Sequence, residues 1–395
     1  MAAAPHIAGV EPLEQQPSDF FTALAGGYIR VMGIAARHQW ALQLTHLPTT
    51  SGREQRVQAW VRAWAKRRPE LVVREDRAGN LLLTIKGRRR LNPVIAVAHM
   101  DHPGFVVDRV DGRDVGASFM GGVLAQYFPD APVELFDSSD ERVAGRVVAH
   151  DAEDGAVEIR LVRGLPSLAR GDVGRWRFPP RSLGIRGGRL RAPACDDLAG
   201  VAAALTALDQ ARRKPELAHF AVLLTRAEEE GFIGAIAACK LGTIPDGARL
   251  LSIETSRSFP EAPIDGGPIV RVGDLSSVFD HALTNGVTSV VRRRKLVHQR
   301  KLMAGGSCEA TAFGAYGYSA TGLCLALGNY HNMIDIDGVR AGSAPARLGP
   351  EEISLADFDG LVSLMLAVAS DIDASASAIV DRLEDRYESR SGLLN

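Results

Sequence analysis

Apolar residues recur along the chain in two patterns, one typical of buried strands and one of helices. Continuous apolar runs of strand length occur at PVIAVAH (93–99), HFAVLLT (219–225), ARLLSIE (248–254) and TGLCLALG (321–328). Helical spacing follows Asp197, and SLADFDGLVSLMLAVASDI (354–372) predicts a closing helix capped by Ser354. Alternation of such runs with helices favours an α/β domain around a buried, mainly parallel sheet.

Two helices are predicted before the first of these strands, over 19–44 and after residue 54. In the second, apolar residues at Val57, Trp60, Val61 and Trp64 follow the helical repeat, and the two tryptophans are predicted to pack in the core. Ser51 and Glu54 stand three positions apart just before it, which predicts a capping box at its start.

The pattern changes between residues 110 and 182. GAVEIRLV (155–162) alternates apolar and polar positions, and Asp-Gly pairs at 111–112 and 154–155 indicate turns. We therefore predict an inserted β-rich domain over 110–182. It divides the α/β domain into segments 19–109 and 183–375, with terminal extensions at 1–18 and 376–395.

Composition excludes several classes of protein. Among the 395 residues the formal net charge is −1, so nothing global points to nucleic acid or an anionic membrane as a partner. The four cysteines are widely spaced, which argues against a disulfide framework and suits a reducing compartment. Neither a secretory signal nor a membrane-spanning apolar stretch is visible, and we predict a cytoplasmic protein.

Histidines and carboxylates follow the apolar runs. In open α/β sheets sites form outside the carboxyl ends of strands, so these side chains are expected at one edge. They are His99, Asp101, Asp196, Asp197, Glu228, Glu229, Glu230, Glu254 and His331. So many carboxylates together repel one another unless cations are present. Mixed nitrogen and oxygen donors suit zinc or a similar metal, and the number of donors favours two ions over one.

Five motifs, in this order, resemble a known family: AHMDHPGFVV, CDDLAG, EEEGFIGA, GGSCEATAF and LGNYHNM. The chain from Leu42 to Ile334 resembles the dinuclear metalloaminopeptidases of the glutamyl-aminopeptidase and tetrahedral (TET) peptidase family, within the co-catalytic zinc exopeptidase superfamily. The resemblance implies a three-layer αβα catalytic domain with a mixed, mainly parallel sheet. It also implies that the insert is a small PDZ-like domain through which copies associate into a homo-oligomer.

The resemblance further implies a role for each site residue. The metal ligands would be His99, Asp196, Glu229, Glu254 and His331. Asp196 would bridge two ions, with a cis peptide before Asp197. Glu228 would be the general base, and Asp101 would hydrogen-bond the free nitrogen of His99.

The expected reaction is hydrolysis of the N-terminal peptide bond of peptides with a free N-terminus. A water between the two divalent ions would attack, with Glu228 accepting its proton. Zinc is the expected metal, with cobalt and manganese as alternatives. Two other functions stay open: an amidohydrolase of the same superfamily, such as a deacylase or a dipeptidase, and a non-catalytic homologue. The intact Glu228 and the intact ligand positions argue against the last.

Several positions depart from the family pattern. Glu254 stands where an aspartate is expected, His102-Pro103 follows Asp101, and Cys308-Glu309 replaces a Thr-Asp pair. These changes point to a divergent subfamily with a different substrate. Glu230 is expected either to be solvated or to lie behind the metal ligands without binding metal itself.

Overall fold

The computed structural model describes residues 35–87, 92–374 and 378–394. The predicted helix over 19–44 lies partly outside these residues. The helices are α1 (Ala36–Leu44), α2 (Gln55–Lys66), α3 (Leu198–Ala211), α4 (Ile233–Lys240), α5 (His281–Arg293), α6 (Glu309–Ala315), α7 (Ile336–Arg340), α8 (Leu355–Asp371) and α9 (Ala378–Arg390).

The strands follow in chain order from β1 to β19. They are β1 (Leu71–Glu75), β2 (Leu81–Ile85), β3 (Val94–His99), β4 (Gly104–Asp111), β5 (Asp114–Met120), β6 (Pro132–Phe136), β7 (Arg142–His150), β8 (Ala156–Leu161), β9 (Val173–Trp176), β10 (Gly184–Arg186), β11 (Arg189–Ala192), β12 (Phe220–Thr225), β13 (Arg249–Arg257), β14 (Ile269–Asp274), β15 (Gln299–Met303), β16 (Ser319–Leu327), β17 (Met333–Ile334), β18 (Arg347–Leu348) and β19 (Glu351–Ser354).

Eight of the described strands form the main sheet in the order β1-β2-β12-β3-β13-β16-β14-β15. Its centre, β12-β3-β13-β16, is parallel throughout, because each of these strands is followed by a crossover segment. The central strands β3 and β12 are buried along their whole length, as their continuous apolar sequences predict. The antiparallel strands lie toward the two edges.

Helices cover both faces of this sheet. Helices α1, α3, α5 and α8 pack on one face, and α4 and α6 pack on the other. Helix α3 lies between β3, α1 and α8, and this explains why almost every side chain along it is buried. The predicted α/β fold class with three layers is confirmed.

The two predicted helix caps have different outcomes. Ser354 accepts a hydrogen bond from the backbone N–H of Asp357, so the predicted cap of α8 is confirmed. The predicted capping box at α2 is wrong. No side chain caps this helix, because Ser51 and Glu54 bind partners outside it.

Strands β4 to β9, within a range that the structure describes throughout, close into an antiparallel barrel in the order β4-β5-β8-β7-β6-β9. Its interior is apolar and centred on aromatic rings, with Phe105 and Trp176 edge to face at 4.8 Å. The barrel strands run from Gly104 to Trp176, compared with the insert predicted over 110–182. The barrel follows β3 directly, so it begins next to the carboxyl edge of the main sheet.

Smaller elements complete this edge. Strands β10, β11 and β19 form one sheet, and β17 pairs with β18. Strand β11 precedes Asp196, and β19 begins at Glu351. In the described part of the chain, helices are too short or too polar to cross a membrane.

Candidate metal centre

Each predicted ligand lies at or near the carboxyl end of a strand. His99 ends β3, Glu229 follows β12, Glu254 lies in the second half of β13, and His331 follows β16. Because β12, β3, β13 and β16 are neighbours in the sheet, their ends converge. Asp196 joins them from the loop between β11 and α3, with a cis peptide between Asp196 and Asp197 as the resemblance implies.

The carboxylate of Asp196 faces both histidines. Its Oδ1 lies 3.3 Å from Nε2 of His99, and its Oδ2 lies 3.5 Å from Nε2 of His331. Glu254 Oε1 is 3.7 Å from the same nitrogen of His99, and Glu229 Oε1 is 3.2 Å from that of His331. The five side chains therefore form two triads that share Asp196.

Buried polar atoms point into these triads without hydrogen-bond partners among the described residues. They are His99 Nε2, Asp196 Oδ1, Glu229 Oε1 and His331 Nε2. Unpaired buried polar atoms are costly, so four of them facing one another need a common partner. The donor atoms of each triad lie within 4.8 Å of one another, which fits a divalent cation between them. The residues present thus fit two metal positions.

Charge in the cluster is strongly coupled. Burial alone would lower the pKa of His99 and of His331, but the surrounding carboxylates outweigh it and raise both well above the usual value. Burial, together with the charge of Asp196, raises the pKa of Glu254 to about 7. The same side chains therefore bind either protons or metal ions, and metal binding will release protons.

Glu228 is buried beside the two triads and faces the same space. Burial and the charges of Glu254 and Glu229 raise its pKa well above the usual value. Its backbone N–H donates to Oδ1 of Asp101 at 3.0 Å, and that of Glu229 donates to Oδ2 at 3.2 Å. One buried carboxylate thus fixes the direction of both glutamates.

The predicted contact between Asp101 and His99 has a different geometry from the expected one. Nδ1 of His99 lies 3.2 Å from the carbonyl oxygen of Asp101 and 3.4 Å from its carboxylate. The carbonyl is therefore the nearer acceptor, since the carboxylate binds the backbone after β12 and the hydroxyl of Ser51.

A cavity of about 520 Å³ opens beside the triads. Glu228, Glu229, Asp196 and Glu254 line one end. Its other walls include the residues 122–124 of the barrel, the apolar Met303 and Met333, and three arginines, Arg257, Arg271 and Arg340. It is large enough for an amino-acid side chain together with the adjoining backbone.

Part of the chain matches the model of a known protein family. The family model of the M42 glutamyl aminopeptidases matches residues 170–343, which include four of the five predicted ligands and Glu228. This segment of the chain is similar to the M42 glutamyl aminopeptidases. The predicted hydrolase of the aminopeptidase class is thereby confirmed, and this metallopeptidase family uses divalent metal. The number of ions and the metal itself stay predictions.

Solved structures share the fold of this protein. An aminopeptidase from the archaeon Desulfurococcus kamchatkensis is 18% identical, with a TM-score of 0.69 over 86% of this chain and 97% of its own. The TET1 peptidase of Pyrococcus horikoshii is also 18% identical, with a TM-score of 0.69 over 85% and 99%. Aminopeptidase I from Borrelia burgdorferi is 11% identical, with a TM-score of 0.55 over 89% and 97%. No curated protein sequence matches the chain.

Sequence reasoning missed Glu351, which connects two ligand loops of the candidate metal centre. Its Oε2 accepts from the backbone N–H groups of Cys195 and Asp196 at 2.6 and 3.0 Å, and its Oε1 accepts from that of His331 at 2.9 Å. The sequence did contain a signal for this role. Side chains alternate along β19, so Glu351 lies on the same side of the strand as the buried Ile353. A charged residue at such a position needs internal partners.

Glu54 and Ser51 have similar roles on the other side of the site. Glu54 accepts from the backbone N–H of Ala227 at 3.0 Å and binds the guanidinium of Arg226 at 2.7 Å. Ala227 has a φ of 47°, a left-handed conformation that turns the chain sharply after β12. Ser51 donates to the carboxylate of Asp101 at 2.6 Å. Both side chains therefore orient the turn that carries Glu228 and Glu229.

The structure shows where the residues that depart from the family pattern lie. His102 is buried, and its Nδ1 donates to the carbonyl of Asp196 at 2.6 Å, so it does not lie on the rim of the cavity. Glu254 lies 3.9 Å from the buried Arg271, which offsets its charge. Glu309 is buried with both carboxylate oxygens unpartnered among the described residues, and burial raises its pKa to about 7.

Proposed function

We propose that this aminopeptidase is dinuclear and removes single residues from peptides with a free N-terminus. The observation that carries the proposal is the pair of triads around Asp196, whose two carboxylate oxygens face different histidines. His99, Asp196 and Glu254 would hold one ion, and Asp196, Glu229 and His331 would hold the other. The mixed nitrogen and oxygen donors favour zinc, and cobalt and manganese are the alternatives.

A pair of divalent ions supplies a water of lowered pKa and polarises the scissile carbonyl. Glu228 is the carboxylate left over once the two triads that share Asp196 are complete, and its buried position beside them suits a general base. It accepts the proton of the attacking water and delivers it to the leaving amine. Asp101 keeps Glu228 directed at the reacting groups through the backbone bond.

The cavity favours an acidic first side chain, in agreement with the name of the family. Arg257, Arg271 and Arg340 line it, and Arg257 is paired with Asp337. Arg271 is 2% exposed, and its Nε has no hydrogen-bond partner among the described residues. A buried guanidinium with donors to spare is well suited to a carboxylate.

The experiment uses purified protein reloaded with zinc or with cobalt. It is incubated with a library of peptides, half with free and half with acetylated N-termini, and products are followed by mass spectrometry. Stepwise loss of N-terminal residues from free peptides alone is expected, fastest where Glu or Asp comes first. Release of acyl groups or of C-terminal residues would instead identify the amidohydrolase alternative. A fully metallated protein that cleaves none of the peptides would favour the alternative of a non-catalytic homologue.

We also propose that the protein is a homo-oligomer located in the cytoplasm. The TET1 peptidase of Pyrococcus horikoshii assembles into a tetrahedron or a large octahedral shell. In the present chain Val148 and Val162 are 61% and 64% exposed on the barrel, which suits a contact between copies. Light scattering on the purified protein measures the number of copies directly.

A further inference from the structure

The inserted barrel reaches the metal centre through the loop between β5 and β6. The carbonyl oxygen of Gly122 in this loop accepts a hydrogen bond from Nδ1 of His331 at 2.6 Å. This donation leaves Nε2 of His331 as the nitrogen that faces Asp196 and Glu229. A backbone carbonyl in this position fixes the tautomer and the orientation of a metal-binding imidazole.

The two histidines differ in the origin of this support. His99 has its nearest acceptor in Asp101, two residues further along the same strand end. His331 depends on a residue of the barrel, 209 positions away in the chain. Only the triad of His331 therefore requires the barrel loop to be in place.

Two side chains hold the ends of this loop, residues 121–127. At one end Oε1 of Glu230 accepts from the backbone N–H of Gly121 at 2.6 Å. At the other end the hydroxyl of Tyr127 donates to the carbonyl of Ile334 at 2.6 Å. Both anchors connect the barrel to the catalytic domain on either side of the Gly122 carbonyl.

Packing at Gly121 confirms that the loop is closely seated. Gly121 has a φ of 93°, and a Cβ there would lie 2.9 Å from the ring of Pro103. Pro103 is one of the departures from the family pattern, and the contact gives it a role at this seam. A larger residue at position 121 would displace the loop from Pro103.

We propose that Glu230 and Tyr127 are positioning residues, which hold the barrel loop so that Gly122 orients His331 in the metal triad with Asp196 and Glu229. The inference rests on the proposed dinuclear function. It explains the third glutamate of the run: Glu228 faces the reaction, Glu229 faces the metal position, and Glu230 fastens the barrel. Loss of either anchor should weaken the binding of the ion held by the His331 triad and leave the binding of the other ion unchanged.

The test measures the two metal affinities separately, by titrating zinc into the metal-free protein against a competing chelator. The variants are Glu230→Ala, Glu230→Gln, Tyr127→Phe and Gly121→Ala. His331→Ala marks which binding step belongs to its triad. We expect affinity at that step to fall about tenfold in Glu230→Ala and Tyr127→Phe, as for other residues that support a metal ligand, with the remaining step unchanged. Glu230→Gln keeps an acceptor oxygen and should lose less than Glu230→Ala.

Matched controls exclude a general effect of substitution. Glu216→Ala removes an exposed glutamate, and Tyr316→Phe removes the hydroxyl of a tyrosine that is 46% exposed, both away from the loop. Neither of these control substitutions should change the zinc affinity of either binding step. Unchanged affinities in all four loop variants, or equal weakening of both steps, would overturn the inference. The titration requires no turnover, so its result can be interpreted even if the proposed function is wrong. A wild-type protein that binds two ions without cleaving peptides would contradict the proposed function but would not affect this test.

Discussion

Glu228 and Glu229 are neighbours in the chain, yet their carboxylates have different surroundings. The left-handed turn at Ala227 and the two bonds to Asp101 separate them, so that Glu229 lies 3.2 Å from His331 while Glu228 faces the cavity. The side chain that must move a proton is thereby kept apart from those that hold the metal. At the scale of the residue, function depends on which way each carboxylate points.

Replacing Glu228 by Gln tests this separation. The amide keeps the shape of the side chain but cannot accept the proton of water, so kcat should fall by about 10²–10⁴-fold. Zinc content and the melting temperature should stay close to those of the wild type, because Glu228 is in neither triad that shares Asp196. Turnover at the wild-type rate would remove Glu228 from the role of base.

Glu309 provides a prediction about pH. Its pKa of about 7 in the folded chain lies above its ordinary value of 4.5, because burial disfavours the charged form. Its contribution to stability is therefore fully present below pH 4.5 and is lost as the pH rises through 7. The difference corresponds to about 3 kcal/mol, and Glu309→Gln should remove it from the metal-free protein.

Urea denaturation of the EDTA-treated protein at pH 5 and pH 8 measures this effect. The wild type should lose more free energy of unfolding between the two pH values than Glu309→Gln does. An identical loss in both proteins would show that Glu309 does not titrate in this range.

At the scale of elements, strand β19 holds two loops together through one side chain. Glu351 binds the backbone N–H groups of Cys195 and Asp196, which directly precede the cis peptide, and that of His331, and so it sets the spacing between two ligands that come from different parts of the sheet. The strand itself pairs with β11, which leads into the Asp196 loop. The pairing of β19 with β11 and the hydrogen bonds of Glu351 therefore fix the same distance, the one between the Asp196 loop and His331.

Glu351→Gln should disturb this arrangement, because the amide NH₂ must face one of the N–H donors. We expect a loss of about 1–3 kcal/mol in the free energy of unfolding, the cost of an unsatisfied buried donor, and weaker zinc binding. The neighbouring Glu352, which pairs with Arg191 near the surface, provides the control. Glu352→Gln should change stability by less than about 1 kcal/mol. Equal effects of the two substitutions would contradict the role of Glu351.

The sequence predicted elements better than it predicted the contacts between them. His99, Glu229, Glu254 and His331 could be grouped because strand runs end beside them and parallel strands end at one edge. Ser51 and Glu54 fit a local capping pattern, but stronger partners, Asp101, Arg226 and the Ala227 backbone, recruit both side chains. The Gly122 carbonyl has no sequence signal, because every residue carries such a group.

At the scale of the molecule, the exposed apolar residues of the barrel predict its assembly. Val148 and Val162 lie on neighbouring strands of the barrel, or immediately after them, and both face outward. Changing both to Asp should shift the mass measured by light scattering toward the monomer, since charges in an apolar interface are strongly unfavourable. Val278→Asp, at a residue 80% exposed in the catalytic domain, is the control and should leave the mass unchanged. An unchanged mass in the barrel variant would place the interface elsewhere.

The order of the ligands along the chain has a consequence for biosynthesis. His99 is made first, the barrel follows, and His331 and Glu351 come more than 200 residues later. At about 5–20 residues per second, the ribosome needs at least 10 s to cross this interval, ample time for an antiparallel barrel to form. Until His331 is made, the nascent chain carries only one of the two histidines of the triads that share Asp196, and the triad of Asp196, Glu229 and His331 is incomplete. Both metal positions can therefore be filled only after the last strand of the sheet has been made, so a fully loaded centre marks a nearly finished chain.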